Sequence, residues 1–442
     1  RVMLEATVNA FKIHDLRRKI LFTLAMLLIY RFIAHVPVPG VNIAALNDLF
    51  QRQDVGQILG VLNIFSGGTL QNFSVAAMGV YPYITASIIM QLLVGIVPRL
   101  TELSKEGEQG RNKINQYQHW LTVPLAALQG YGQCVLLKST GVLPGFDLFN
   151  AQYTLYSLSV LLSLIAGTVF LMWIGELITE NGIGNGISII IFGGIVSRLP
   201  TLVGELAVSQ GGTGDINVIG LVIFGALGLL TVVGIVLVQE GQRRIPVHYS
   251  KNVFRGNRVQ TQKGSSFIPL RVNSAGMIPL IFAVSIMILP GTIASFLTAA
   301  KIDWVRNLAN GMTGFFSPTS LQYQVFYFLL VVAFTYFYTM VVFGQQQIAE
   351  NLQKQGGSIP GIRPGPRTDK YLNEVINKIT FIGALFLGLV AIMPFFAQLI
   401  TGVNIQGLTS TALLIVVGVA IDTMKQLEAQ LLMRRYEGFI NR

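Results

Sequence analysis

The sequence predicts an all-α, polytopic membrane protein with ten transmembrane helices. Of the 442 residues, 52% are hydrophobic and only 12% are charged, whereas roughly 25% of the residues in soluble domains are charged. The charged residues cluster between long uncharged stretches. Because a bilayer core of about 30 Å needs about 20 helical residues, this length suits roughly ten spans with modest loops and excludes a single-pass receptor.

Apolar runs of membrane length form two groups of five. The first group is predicted at Ile20–Val36, Val75–Val97, Trp120–Leu137, Leu155–Ile174 and Ile187–Val203. The second is predicted at Val218–Val238, Met277–Leu297, Val325–Phe343, Ile379–Ile400 and Leu408–Ile421, the last of which is short. We therefore divide the chain into an N-terminal half (1–203), a glycine-rich external hinge loop (204–217) and a C-terminal half (218–442). If the halves have similar folds, they are inverted repeats, because the second half begins on the opposite side of the membrane.

The basic residues predict the orientation. With the N-terminus in the cytoplasm, 25 of the 31 Lys and Arg residues lie in cytoplasmic segments, five lie outside, and Arg31 lies within the first span. Positive charge is retained on the cytoplasmic side of membranes, so we expect both termini there. The net charge of +11 then reflects mainly this topology.

Motifs for enzymatic chemistry are missing from the sequence. The single cysteine, Cys134, cannot form an internal disulfide, and the four histidines lack metal-ligand spacing. There is no phosphate-binding loop, zinc-protease helix or nucleophile elbow. We therefore expect no enzyme, no cofactor and no bound metal. The glycines at 182, 184 and 186 are interpreted as a tight cytoplasmic turn.

Two functional classes of polytopic membrane protein would each need residues that this sequence scarcely offers. A secondary transporter with inverted repeats would need ionisable residues in mid-membrane. The candidates are few, since Glu176, Glu180 and Asp422 lie near span ends and Arg31 can snorkel. A polytopic membrane enzyme would need a convergent acid, base or metal constellation, which the sequence lacks.

The segment at 59–72, between the first two spans, is too polar to face lipid. Irregular backbone at membrane depth survives only where protein or water surrounds it. The segment is therefore either a short half-helix that dips into a cavity or an ordinary external loop. The nearby Pro82, inside the second predicted span, slightly favours the half-helix, because proline breaks a helix. In the second span, Val80, Ile84 and Gln91 share one helical stripe with Ser87 or Ile88.

Two cytoplasmic segments, at 239–271 and 345–378, are candidates for docking. The first has seven basic side chains and one acid, and its strand-like stretches Ile245–Tyr249 and Arg258–Gln262 predict a projecting β-hairpin. Such a hairpin could bind RNA phosphate, anionic lipid or an acidic protein surface, or be a solvated loop. In the second segment, the prolines and glycines of Pro360–Gly365 predict a sharp loop that presents Arg363.

These segments, in this order, resemble the bacterial SecY family, whose members are the central subunits of the protein-conducting channel. Four blocks carry the resemblance: Gly79–Leu93, Phe170–Ile191, Asn273–Pro279 and Pro360–Gly365. The resemblance covers essentially the whole chain. It implies ten spans in two inverted pseudo-symmetric halves around an hourglass pore, with a re-entrant plug helix near residues 63–72. It also implies conduction of unfolded secretory polypeptides and sideways release of transmembrane segments into lipid.

The resemblance assigns residues to parts of the channel. The family's apolar pore ring maps onto Val80, Ile84, Ile187, Ile191, Ile281 and Ile415. The plug maps onto Asn63, Ile64, Phe65, Ser66, Gly67, Gly68, Thr69 and Leu70. The lateral gate lies between the second and seventh spans, and its polar contacts are hypothesised to be Ser87, Gln91, Gln129 and Asn273.

Partners also follow from the resemblance. Arg255, Arg258 and Arg363 are expected to contact the translating ribosome or the motor ATPase SecA. Asn257 departs from the family, which often has two adjacent basic residues at this hairpin tip, although Arg255 could compensate. The small subunits SecE and SecG would complete the complex in the bacterial plasma membrane. Signal sequences, nascent polypeptides and the surrounding bilayer are the other expected partners.

Overall fold

The computed structural model describes residues 13–51, 63, 66–148, 150–209, 218–255, 258–276, 278–297, 303–317, 320–346, 348–401 and 410–440. Its N-terminal half contains helices α1 (His14–Ile33), α2 (Ile43–Gln51), α3 (Tyr81–Ile96), α4 (Pro98–Lys105), α5 (Glu108–Ser139), α6 (Thr154–Asn181) and α7 (Gly186–Ser209). Its C-terminal half contains helices α8 (Val218–Glu240), α9 (Ile278–Leu297), α10 (Asp303–Phe315), α11 (Leu321–Gln346), α12 (Ile348–Lys354), α13 (Pro366–Thr401) and α14 (Ser410–Ile440). The fold is therefore mostly helical, as predicted.

Several of these helices suit a bilayer by length and composition. Among the described residues, α6, α11 and α13 are each long and apolar enough to cross a membrane. Shorter apolar stretches lie in α7, α8 and α9, and α3 joins α4 at a bend of 100°. Among the described residues these are three long helices, one bent pair and three shorter apolar helices, so the number of ten spans stays a prediction.

Two predicted boundaries were wrong. The second span was expected to begin at Val75, but α3 begins at Tyr81. The residues before it form turns, Gly79 has a φ of +55°, and Pro82 occupies the first helical turn, where its missing N–H costs nothing.

The external hinge loop was expected from residue 204, but α7 continues to Ser209. Residues 210–217 lie outside the described part of the chain.

A small β-sheet accompanies the helices. The predicted hairpin consists of β1 (Gln242–Arg255) and β2 (Arg258–Arg271), paired antiparallel from Gln242↔Arg271 to Arg255↔Arg258. A short strand, β3 (Gly357–Ser358), pairs with β1 on its other edge. This third strand was not predicted, because two residues give no periodic pattern.

The buried apolar side chains form one large cluster and two smaller ones. The large cluster takes residues from both halves of the chain, including α3, α6, α7, α9, α11 and α14. A second cluster lies between the sheet and the adjoining helices, with Ile245, Val247 and Leu270 from the hairpin facing Leu372 and Val375 of α13. The hairpin is thus packed onto the helical body.

Candidate functional site

The positions assigned to the pore ring lie inside the molecule. Val80, Ile84, Ile191, Ile281 and Ile415 are each no more than 7% exposed, and all five belong to the large apolar cluster. Ile187 is partly buried and packs against the same cluster. The six residues come from both halves of the chain, and the five fully buried ones do not face the outside of the helical bundle.

Glycines allow α6 and α7 to approach closely beside one of these positions, Ile187. A Cβ atom on Gly175 would lie 2.5 Å from Cδ1 of Ile187, so a larger residue at position 175 would require the Ile187 side chain to shift. The predicted turn between the helices is present, with Gly184 at a φ of +83°. Asn185 caps α7, because its side-chain oxygen accepts a hydrogen bond from the Ser188 N–H at 3.2 Å.

The segment assigned to the plug is wedged between α1 and α7. Tyr30 Oη donates to the Ser66 carbonyl at 3.2 Å, and Arg31 Nη1 donates to the Gly67 carbonyl at 3.3 Å. From α7, Arg198 Nη2 donates to Gln71 Oε1 at 3.2 Å. A Cβ atom on Gly67 would lie 2.8 Å from the Cα of Gly194, so the segment touches α7 through two glycines.

The backbone of this segment differs in part from the expected plug helix. Asn63 is helical, whereas residues 66–72 form turns. Gly67 and Gly68 have φ values of +70° and +84°, which a right-handed helix does not contain. Asn63 stabilises the turns by accepting a hydrogen bond from the Gln71 N–H at 3.1 Å. Ile64 and Phe65, which were also assigned to the plug, lie outside the described residues.

The four residues assigned to the gate are not joined to one another across it. Gln91 Nε2 donates to Ser87 Oγ at 3.4 Å within α3. Gln129 Nε2 reaches Thr85 Oγ1 at 3.4 Å, which joins α5 to α3. Asn273 donates to the Gly276 carbonyl at 3.1 Å, in the loop before α9. Within the described part of the chain, the carbonyl oxygens of these three amides are buried and have no hydrogen-bond partner.

A contact that the sequence did not reveal joins α3 to α9, the two helices between which the gate was predicted. Tyr81, the first residue of α3, donates its hydroxyl proton to the main-chain carbonyl of Ser285 in α9 at 3.1 Å. Both residues are buried. The sequence did offer one indication of such a contact, a tyrosine at the start of an otherwise apolar stripe. A buried tyrosine hydroxyl usually has a hydrogen-bond partner.

The two segments predicted for docking form one surface. Strand β3, next to the Arg363 loop, pairs with β1 of the hairpin, and Ile359 joins the hairpin residues in the second apolar cluster. Arg363 is exposed, and its carbonyl accepts a hydrogen bond from Thr368 Oγ1 at 3.0 Å. Arg255 and Arg258 face each other in the β1–β2 register. The hairpin tip, including Asn257, lies outside the described residues.

Charged contacts tie the base of the hairpin to α14. Lys425 Nζ lies 2.7 Å from Glu240 Oε1, and Arg271 Nη1 lies 4.0 Å from Asp422 Oδ1. Asp422 follows directly on the predicted tenth span. Burial raises the pKa of its carboxyl, and the nearby Arg271 and Lys425 lower it. Ile415, one of the positions assigned to the pore ring, lies two turns before Asp422 on the same helix.

Of the ionisable residues considered for a transporter, Glu176, Asp422 and Arg31 each contact a nearby group. Glu176 Oε1 lies 2.6 Å from His119 Nε2, which joins α6 to α5. Within the part of the chain that the structure describes, no group of three or more His, Cys, Asp and Glu side chains could hold a metal ion.

Comparisons with known proteins agree with the resemblance. The SecY family model matches residues 74–424. Protein translocase subunit SecY from Thermotoga maritima is 42% identical over 447 residues, which cover 100% of this chain and 98% of that protein.

Two solved structures have a similar fold. One is described as the plug domain of SecY stabilising the closed state of the translocation channel and maintaining a membrane seal; its TM-score is 0.61 at 17% identity, over 93% of this chain and 92% of the other. The other is Sec61 in the canine ribosome-channel complex from the endoplasmic reticulum, with a TM-score of 0.60 at 17% identity over the same shares.

Proposed function

The chain belongs to the SecY family, and we propose that it is the pore-forming subunit of a protein translocase. It is a multi-pass membrane protein that conducts unfolded secretory polypeptides across the membrane and releases transmembrane segments sideways into lipid. The single observation that best supports this function is the convergence of the six ring positions, from both halves of the chain, in one apolar cluster. The alternative, a secondary transporter, is not favoured, because the sequence has few ionisable residues in mid-membrane.

In this proposal, the ring both seals and conducts. A narrow aliphatic constriction offers no hydrogen-bond partners to ions or water, so it closes by dewetting. An extended polypeptide that enters it can be surrounded by the flexible side chains of Ile84, Ile191 and Ile281. The segment at 63–72 acts as the plug, and the contacts of Tyr30, Arg31 and Arg198 hold it against α1 and α7 in the closed channel.

Sideways release requires α3 to separate from α9. Separation of α3 from α9 breaks the Tyr81–Ser285 hydrogen bond and exposes apolar side chains that were packed together. A sufficiently hydrophobic segment offsets this free-energy cost when it enters the lipid. Near the centre of a membrane helix, Leu, Ile, Phe and Val each favour insertion by about 0.3–0.6 kcal/mol. The hydrophobicity of the passing segment therefore decides between export and membrane insertion.

The docking surface receives the partners that drive translocation. The sequence lacks a nucleotide-binding loop, so the energy must come from a partner. We propose that Arg255, Arg258 and Arg363 contact the ribosome or the SecA motor through acidic or phosphate groups. SecE and SecG complete the complex, and the protein lies in the bacterial plasma membrane with both termini in the cytoplasm.

Site-specific crosslinking tests this function. A photoreactive amino acid replaces Ile191 in one variant and Val196, which is more exposed on the same helix, in the matched control. Each variant is combined with a secretory polypeptide arrested during translocation. We expect the polypeptide to crosslink at position 191 and not at 196. Equal crosslinking at both positions, or crosslinking at 196 alone, would reject the proposed path.

A further inference from the structure

Helix α10 has an apolar stripe that the described residues leave largely uncovered, apart from ring contacts of Phe315 with Phe316 and Phe326. Trp304, Leu308, Gly311 and Phe315 follow each other at intervals of four, three and four residues, so they share one face of the helix. Trp304 is 68% exposed and Leu308 is 51% exposed. Exposed apolar side chains that line up in this way indicate a surface that contacts something other than water.

The remaining faces of α10 are already accounted for. Ala309 is fully buried, and α10 packs against α9. The polar side carries Arg306, which donates to Asp303 Oδ1 at 2.6 Å, and the exposed Asn310. The helix therefore has three sides, of which one packs on protein, one suits water and one is apolar and exposed.

The position of α10 along the chain places it at the edge of a bilayer. Helix α9 has 20 residues and is about 30 Å long, which equals the thickness of the hydrocarbon core. One end of α9 follows the base of the hairpin, and α10 follows the other end. At the start of the next helix, α11, Leu321 and Val325 are also exposed, as expected for side chains that face lipid in a membrane-spanning helix.

We propose that α10 lies in the plane of the membrane, at the interface opposite the β-hairpin, with Trp304, Leu308 and Phe315 inserted among the lipids. The occupant of the stripe is the boundary between lipid headgroups and acyl chains. Amphipathic helices that combine an aromatic and aliphatic face with a polar face bind this region, and tryptophan is enriched there. The proposal rests on the chain spanning a membrane and does not depend on the translocated substrate.

This anchor has a consequence for the gate. Because α10 packs on α9, insertion of α10 fixes the outer end of the gate helix at the level of the lipid headgroups. The opposite end of α9 adjoins the docking hairpin. When the gate opens, α9 then tilts: its outer end is held at the lipid headgroups by α10, and its other end is moved by the partner that docks on the hairpin.

Intrinsic fluorescence tests the proposal without any change to α10. The chain has three tryptophans, Trp120, Trp173 and Trp304, so replacing the first two with phenylalanine leaves Trp304 as the reporter. The complex is reconstituted into phosphatidylethanolamine and phosphatidylglycerol vesicles whose acyl chains carry bromine either near the headgroup or near the chain end. We expect Trp304 to lose most of its fluorescence with the shallow bromine and little with aqueous iodide. Strong quenching by iodide, or none by bromine, would overturn the proposal.

A pair of charge variants tests the stripe itself. Leu308→Asp places a carboxylate in the inserted face, whereas Asn310→Asp adds the same charge on the polar face. Leu308→Asp should abolish most of the bromine quenching and expose Trp304 to iodide, and Asn310→Asp should change neither. Equal effects of both variants, or no effect of Leu308→Asp, would show that the stripe does not contact lipid. Translocation is measured separately, so loss of the anchor is distinguishable from loss of the channel.

Discussion

Removal of one hydroxyl group should loosen the gate by a measurable amount. Tyr81→Phe keeps the ring in place and deletes only the donor to the Ser285 carbonyl. That carbonyl lies within α9 and keeps its helical hydrogen bond, so the loss is limited to one hydrogen bond. Such a bond contributes about 1 kcal/mol net, which corresponds to a roughly fivefold change in the ratio of open to closed gates.

A translocation assay with a weakened signal sequence measures this change. When opening limits export, a signal with reduced hydrophobicity should be exported up to about five times faster through Tyr81→Phe than through the unaltered channel, and a strong signal should be affected less. Tyr83→Phe is the matched control, because its ring lies beside His119 of α5, 6.1 Å away between centroids. Unchanged export of the weak signal by Tyr81→Phe, or an equal gain in Tyr83→Phe, would refute the reasoning.

Three further predictions concern the seal, the plug and the docking loop. Ile191→Asn should let ions leak through reconstituted vesicles, because an amide hydrates the constriction; Val196→Asn should not, and equal conductance would reject the ring assignment. Gly194→Val should displace the segment at Gly67, since the new side chain has no room, and electrical recordings should show more frequent opening; an unchanged closed state would contradict this contact. Arg363→Glu should impair SecA-driven export while thermal unfolding stays the same, and normal export with normal SecA binding would exclude its role.

Features that follow from local composition were predictable from the sequence. Apolar length indicates a membrane helix, so most helices were anticipated. The hairpin was also predicted, from strand-forming residues on either side of a basic turn. The start of α3 was missed because hydropathy does not register backbone geometry: the residues from Val75 to Val80 are apolar enough for a span, yet they form turns before Pro82.

Contacts between distant segments were not predictable in the same way. Helical periodicity shows which residues share a face, but it does not show what that face meets. Gln129 was assigned to the polar contacts of the gate, and in the structure its amide reaches Thr85 of α3. The bond from Tyr81 to Ser285 spans 204 positions, and its acceptor is a main-chain carbonyl, which no sequence pattern marks.

The most direct test of the central claim is an experimental structure of this protein with a secretory polypeptide arrested inside it. The account predicts that the polypeptide passes between the side chains of Val80, Ile84, Ile187, Ile191, Ile281 and Ile415, with residues 66–72 displaced from Tyr30 and Arg198. A polypeptide that crosses elsewhere, while these six side chains remain packed against one another, would contradict it.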